Sequence, residues 1–170
     1  MVRAEDADPM DPLSYSTNAL NDIIYKIKTY GPDVVTLQET HGDADKDQAK
    51  FLATALEMEF VISDFYAPSH LQEGQQLGQA ILSRFPLSEH HFELFYNPKL
   101  ETTGPRGEHW TSDDKGVTSC TLAIDEYRIN IKTCHSFPYR RFGVDPMDEA
   151  MESLRSDMAE KMKPVLPLYI

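Results

Sequence analysis

Cysteine and tryptophan are scarce in this chain, with two and one respectively among 170 residues. Two cysteines imply no disulfide framework. Basic residues are in deficit: 16 Lys and Arg against 28 Asp and Glu, a formal net charge of −12. A passive nucleic-acid binder needs clustered Lys and Arg against phosphate, and this balance argues against one. An enzyme that reaches phosphate through a bound cation stays open. No apolar run approaches the length that spans a bilayer. The start, Met1 to Asp6, is acidic and lacks an apolar centre, so it is no signal peptide. A cytoplasmic location is the default expectation. The remainder is ordinary for a globular chain, 41% hydrophobic and 26% charged, at a length that fits one domain.

The stretch Pro32 to Thr40 organises the rest. Val34, Val35 and Leu37 read as a short buried strand, punctuated at its start by Gly31-Pro32. The run ends on Glu39. A strand of this kind has no packing use for a carboxylate at its tip, so Glu39 is expected at a sheet edge. There it meets solvent, a cation or a partner. Mg²⁺ takes hard oxygen ligands held on rigid elements, and such a carboxylate suits it.

Residues 1–16 carry no periodicity and read as a disordered lead-in. A helix is expected from about Asn18 to Tyr30, with Leu20, Ile23, Ile24, Ile27 and Tyr30 on one face. Thr17 or Asn18 caps its start, and Gly31 takes a left-handed C-terminal position. A second helix spans about Asp45 to Glu57, with Phe51, Leu52, Ala55 and Leu56 inward. Phe60–Ser63 and Gln79–Arg84 read as strands, and residues 66–77 as a loop. Leu87–Phe95 alternates weakly.

Residues 97–116 form a long loop carrying Trp110, which either covers the core or stacks on a substrate. Val117–Ile124 and Tyr127–Cys134 form the clearest hairpin, turning at Asp125-Glu126. Its apolar face is Cys120, Leu122, Ile124, Tyr127, Ile129 and Ile131, and Cys134 points the other way. Continued alternation puts His135 just past the strand on the apolar side. The loop 136–146 is aromatic and basic, and Arg140 and Arg141 there are either solvated or phosphate contacts. A third helix is expected over 146–161, with Met147, Met151, Leu154, Met158 and Met162 as its stripe. The chain then ends on a β-type run, 164–170.

Four stretches, in order, resemble one family. Pro32-Asp33-Val34-Val35-Thr36-Leu37-Gln38-Glu39 resembles the Gln-Glu strand of the endonuclease/exonuclease/phosphatase superfamily, the deoxyribonuclease I-like fold. Gly78-Gln79-Ala80-Ile81-Leu82-Ser83-Arg84 is similar to its Gly-x-Ala-Ile-Leu-Ser-Arg strand. Lys115-Gly116-Val117 is similar to the start of a later strand. Ile131-Lys132-Thr133-Cys134-His135-Ser136 resembles the strand that delivers the family's histidine.

The resemblance implies an α+β fold, a two-layer αβ sandwich that cleaves phosphoester bonds with Mg²⁺ or Mn²⁺. Glu39 would be the metal-binding carboxylate. His135 would contact the scissile phosphate, protonating the leaving oxygen or stabilising transition-state charge. Substrates of such proteins include nucleic acid, phospholipid and inositol phosphate. The sequence also departs from the family. Asn18 looks like a helix cap rather than the family's first-strand Asn. The later Gly-Asp-x-Asn and Ser-Asp-His segments have no counterpart. Residues 17–170 are therefore expected to form the first half of the domain, a partial sandwich. Such a half exposes an inner sheet face, so poor stability, self-association or a partner carrying the second half-domain is expected. Little hydrolysis by the chain alone is expected. A non-catalytic interaction module retaining half of the fold is the alternative.

Overall fold

The computed structural model describes residues 18–70 and 73–164. The lead-in expected over 1–16, the cap at Thr17 and the terminal run from Val165 onward lie outside the described residues. Helix α1 spans Asn18–Tyr30 and strand β1 Val34–Gly42. Helix α2 is Gln48–Ala55, followed by β2 Phe60–Pro68, β3 Gln76–Ser83 and β4 Leu87–Leu94. Short strands β5 Glu101–Thr103 and β6 His109–Thr111 precede the long hairpin β7 Gly116–Ile124 and β8 Tyr127–Cys134. Two 3₁₀ turns, Tyr139–Phe142 and Glu149–Met151, lead to α3 Glu152–Lys161.

Two antiparallel three-stranded sheets result, ordered β1-β3-β2 and β4-β7-β8. Side chains bridge them: Gln79 Nε2, fully buried, donates to Thr118 Oγ1 at 3.0 Å and to the Thr133 carbonyl at 3.2 Å. Alternation along the strands then fixes what each outer face meets. Val35, Leu37, Val61, Ala80 and Leu82 pack against Leu20, Ile23, Ile24 and Ile27 of α1 and Ala49, Leu52 and Ala53 of α2. On the far side, Val117 and Cys134 pack under Leu154 and Met158 of α3 with Phe95 and Phe137. The order of layers is helix, sheet, sheet, helix. No helix among the described residues is long and apolar enough to cross a membrane.

The elements begin and end for local reasons. Gly31, at φ 60°, ends α1 as a left-handed residue. Helix α2 starts later than expected because Asp47 is its cap, accepting from Ala49 N at 2.8 Å. The face it buries is Ala49, Leu52, Ala53 and Leu56, so Phe51, expected inward, points out at 54% exposure. Tyr30 (86% exposed), Met147 (75%) and Met162 (36%) also fall outside the stripes predicted for them: Tyr30 is the last residue of α1, and Met147 and Met162 lie before and after the third helix. The third helix is shortened for a related reason: residues 149–151 wind as 3₁₀ before α3 begins. Strand β2 extends to Pro68 and β3 begins at Gln76, so both ends of the expected 66–77 loop belong to strands.

The loop 97–116 holds the β5–β6 hairpin. The β7–β8 register pairs Ile124 with Tyr127 and Cys120 with Ile131, as the two-residue turn requires. Both cysteines are free. The hairpin's apolar face is covered at Cys120 and Leu122 and open at Tyr127 and Ile129.

Candidate active site

Regular alternation along β1 puts Gln38 on the inner side, opposite Gln79, and Val35 and Leu37 on the outer side under the helices. The next residue, Glu39, would by the same rule point under the helices. A bulge prevents it: Gln38 pairs with Gln79 and Thr40 with Gly78, which leaves Glu39 as the extra residue. Its φ of 55° lies in the left-handed region, where a side chain costs about 1–2 kcal/mol. Strand β2 bulges at the same level on the other side of β3. Phe65 pairs with Gly78 and Ala67 with Leu77, leaving Tyr66 extra. Gly78 sits between the two bulges. A Cβ there would collide with the Asp64 carbonyl oxygen and lie 2.7 Å from Phe65 Cδ1. The carboxylate expected at the tip of its strand is thus inside it, since β1 runs on to Gly42. The bulge, not a strand end, turns Glu39 out of the alternation.

His135 arrives from the other sheet. Thr118, paired with Thr133, lies on the inner face of the hairpin, and His135 follows Thr133 by two residues on that side. Its Nδ1 is 3.4 Å from Glu39 Oε1. The same Nδ1 is 3.2 Å from the Nζ of Lys115. Lys115 is buried, at 7% exposure, and its Nζ lies 5.6 Å from the centre of the Tyr66 ring. Glu39 and His135 are more open, their side chains 30% and 34% exposed, so a solute can reach them.

A polar layer between the sheets fixes this meeting. Gln38 Nε2 donates to Thr133 Oγ1 at 2.8 Å. Thr118 Oγ1 accepts from Gln79 and donates to Asp64 Oδ2 at 2.6 Å. Asp64 also meets His90 Nε2 at 2.9 Å. Lys115 is held by the loop before it. Asn97 Nδ2 donates to the Ser112 carbonyl at 2.9 Å and to Asp114 Oδ1 at 2.8 Å, and Lys99 Nζ donates to the same carboxylate at 2.6 Å.

The charges follow from burial and neighbours. Burial lowers the pKa of His135, the Lys115 charge lowers it further, and Glu39 only partly opposes them. The imidazole is neutral at pH 7, so its contact with Glu39 is not a full ion pair. An ammonium can only donate and a carboxylate only accept, so Lys115 and Glu39 make opposite demands on the same Nδ1. Burial also lowers the pKa of Lys115, while Glu39 and Asp113 offset part of that loss. Burial raises the Tyr66 phenol, with Glu39 and Asp113 adding to the effect. His41, two residues past Glu39, is pushed down to about 4 by burial and then by His70. Its Nδ1 contacts Ser69 Oγ at 2.9 Å.

The arrangement brings Glu39 and His135 together. Arg141 borders them: its guanidinium lies 5.1 Å over the Trp110 ring, and its charge reaches Lys115. Arg140 is exposed on the 3₁₀ turn. Asn18 is the first residue of α1. Lys115 and Tyr66 were not marked by sequence as site residues. Lys115 stood inside a recognised stretch without a role, and no glycine announces the bulge at Tyr66.

Among the described residues no group of three His, Cys, Asp or Glu side chains gathers to hold a metal ion. Glu39 offers one carboxylate. Mg²⁺ usually takes one or two carboxylates and fills its remaining positions with water and phosphate oxygens, so Glu39 suits that chemistry as one ligand. A cleft of about 860 Å³ opens between α1 and α2, lined by Leu20, His41, Asp47, Phe51 and Gln75 among others. It contains neither Glu39 nor His135.

The model of the Endonuclease/Exonuclease/phosphatase family matches residues 12–161. No curated protein matches the sequence. Among solved structures, an endonuclease/exonuclease/phosphatase family protein from Leptotrichia buccalis C-1013-b is similar, with a TM-score of 0.54 at 13% identity. The likeness covers 85% of this chain and 56% of that one, so the chain spans little more than half of that neighbour's length.

Proposed function

This chain belongs to the endonuclease/exonuclease/phosphatase family, and from that we propose that it carries part of the site of a divalent-metal-dependent phosphoester hydrolase. Proteins of this family act on phosphoesters and are generally divalent-metal dependent. Glu39 is the residue that would hold Mg²⁺ or Mn²⁺. A bound ion would neutralise phosphate oxygens and lower the pKa of a coordinated water. His135 would contribute an imidazole that donates to a phosphoryl or leaving oxygen. The single observation that carries this reading is the 3.4 Å approach of Glu39 Oε1 to His135 Nδ1 from two different sheets. Packing alone gives no reason to bulge a strand around a glutamate and aim it at an imidazole.

Among the described residues no third His, Cys, Asp or Glu joins Glu39 and His135 to help activate water. The chain alone is therefore expected to bind the ion and to hydrolyse phosphodiesters slowly at best. Calorimetric titration of Mg²⁺ into the full chain tests the reading. Saturable binding that Glu39→Gln removes supports it. Weak, non-saturating uptake that Glu39→Gln leaves unchanged contradicts it and favours the non-catalytic interaction module.

A further inference from the structure

The cleft between α1 and α2 is walled by two side chains that each carry an unfilled polar atom. His41 is 3% exposed and lines the cleft, and its Nε2 has no hydrogen-bond partner among the described residues. Gln75 lines the same cleft, and its Oε1 is buried and likewise without a partner. The two residues are neighbours through the sheet. His41 pairs with Leu77 and Gly42 with Gln76, so Gln75 sits one step beyond that register. Ser69 joins them: its backbone N–H donates to the Gln75 carbonyl at 2.9 Å, and its Oγ meets His41 Nδ1 at 2.9 Å. The His41 backbone N–H donates to Gln48 Oε1 at 3.0 Å. The ring is therefore held by its Nδ1 edge, and Nε2 is the edge left over. Buried polar atoms are nearly always paired, and an orphan is costly unless something outside the chain fills it.

The rest of the wall indicates what would fill it. Leu20, Ala44, Phe51 and Ala55 make it largely apolar. Phe51 is 54% exposed on a helix that buries Ala49, Leu52 and Ala53, so its ring is free to stack. The charges of the rim balance, Asp45 and Asp47 against Lys46 and Lys50, and nothing there selects an ion. Asp47 is also taken by the α2 cap and by Lys50 at 3.7 Å. Burial holds the His41 imidazole uncharged at pH 7. A volume of about 860 Å³ falls in the range of small-molecule sites. We propose that this cleft is a second binding site, for a neutral, flat heteroaromatic that carries an amino group beside a ring nitrogen. The amino group donates to Gln75 Oε1, which can only accept. His41 Nε2 meets the adjoining ring edge, where a ring nitrogen accepts and an amino hydrogen donates, so either tautomer is served. Phe51 covers the ring face. The site stands apart from the phosphoester reading, because its wall includes neither Glu39 nor His135.

The test titrates adenosine into the full chain, without divalent metal, and follows the ring resonances of Phe51 and His41 by NMR. Saturable shifts of both are expected. Purine riboside keeps the flat ring and the ribose and lacks only the amino group. It is expected to bind about tenfold more weakly, since Gln75 Oε1 is then left unsatisfied. Gln75→Met is expected to weaken adenosine about fivefold and to narrow the gap between the two compounds. Phe51→Ser is expected to weaken both compounds alike, about fivefold. Tyr25→Ser, at an exposed aromatic of α1 that does not line the cleft, is expected to change nothing. The comparison of the two compounds on the unchanged chain decides the matter even if Gln75→Met does not fold. Absence of saturable shifts at Phe51 and His41, or equal affinity for the two compounds, overturns the inference. Binding that neither Gln75→Met nor Phe51→Ser weakens overturns it as well.

Discussion

Gln38, the residue before Glu39, donates from Nε2 to Thr133 Oγ1 at 2.8 Å, and Thr133 lies two residues before His135. One side-chain bond therefore ties the strand that carries the carboxylate to the strand that delivers the imidazole. A net hydrogen bond contributes about 1 kcal/mol, and more is lost when a buried partner is left unsatisfied. Gln38→Ala is expected to lower unfolding stability by about 1–2 kcal/mol, read by urea denaturation. It should also weaken Mg²⁺ binding without touching Glu39.

Gly78 has no room for a side chain. Any Cβ meets the Asp64 backbone, which cannot swing away, and lies 2.7 Å from Phe65 Cδ1. Gly78→Ala is expected to cost about 2–3 kcal/mol, as overpacking at a rigid contact does. Thermal or urea unfolding measures it. Because the glycine sits between both bulges, Mg²⁺ binding should fall as well.

Glu39 holds a backbone conformation that glycine adopts freely, with φ at 55°. Glu39→Gly is expected to remove the binding of Mg²⁺ while leaving the fold as stable as before or about 1 kcal/mol more stable. Glu39→Ala keeps the strain and should not show that gain. A drop of several kcal/mol in Glu39→Gly would mean that the carboxylate serves packing instead.

Burial pushes the Cys120 thiol from its ordinary 9.0 up to about 11 and raises Cys134 as well. The folded state prefers the protonated thiol. Its contribution is thus complete below pH 9 and is lost as pH rises through the window up to about 11. The slope from one such group is about 1.4 kcal/mol per pH unit. Cys120→Ala should flatten the fall in stability over that window, measured by urea unfolding at successive pH values. At pH 8 the native chain should react slowly with a thiol reagent, and the unfolded chain quickly.

Much of the fold was legible because its signals are local. The 3.6-residue spacing of Leu20, Ile23, Ile24 and Ile27 marks α1, and the alternation around Asp125-Glu126 fixes the β7–β8 register. The mixed helix and strand class and the family followed from four short stretches in order. The misses share a cause. Phe51, Tyr30 and Met147 lie at or just outside the ends of their elements, where sequence periodicity does not mark how far the buried stripe runs. The two bulges left no mark, because Glu39 and Tyr66 are not residues that favour a positive φ or an unpaired strand position. Lys115 stands out in the sequence only as part of a motif. Its burial comes from Tyr66 and His135, which are distant along the chain.

The central claim is that Glu39 binds a divalent ion directly beside His135, and substoichiometric Mn²⁺ tests it most directly. The ion broadens nearby nuclei, so the histidine ring resonances of the full chain report where it sits. The account predicts early, selective loss of the His135 ring signals while those of His91 and His109 stay sharp, and full recovery of His135 in Glu39→Gln. Broadening spread over all the histidines, or a His135 response that survives Glu39→Gln, would contradict it.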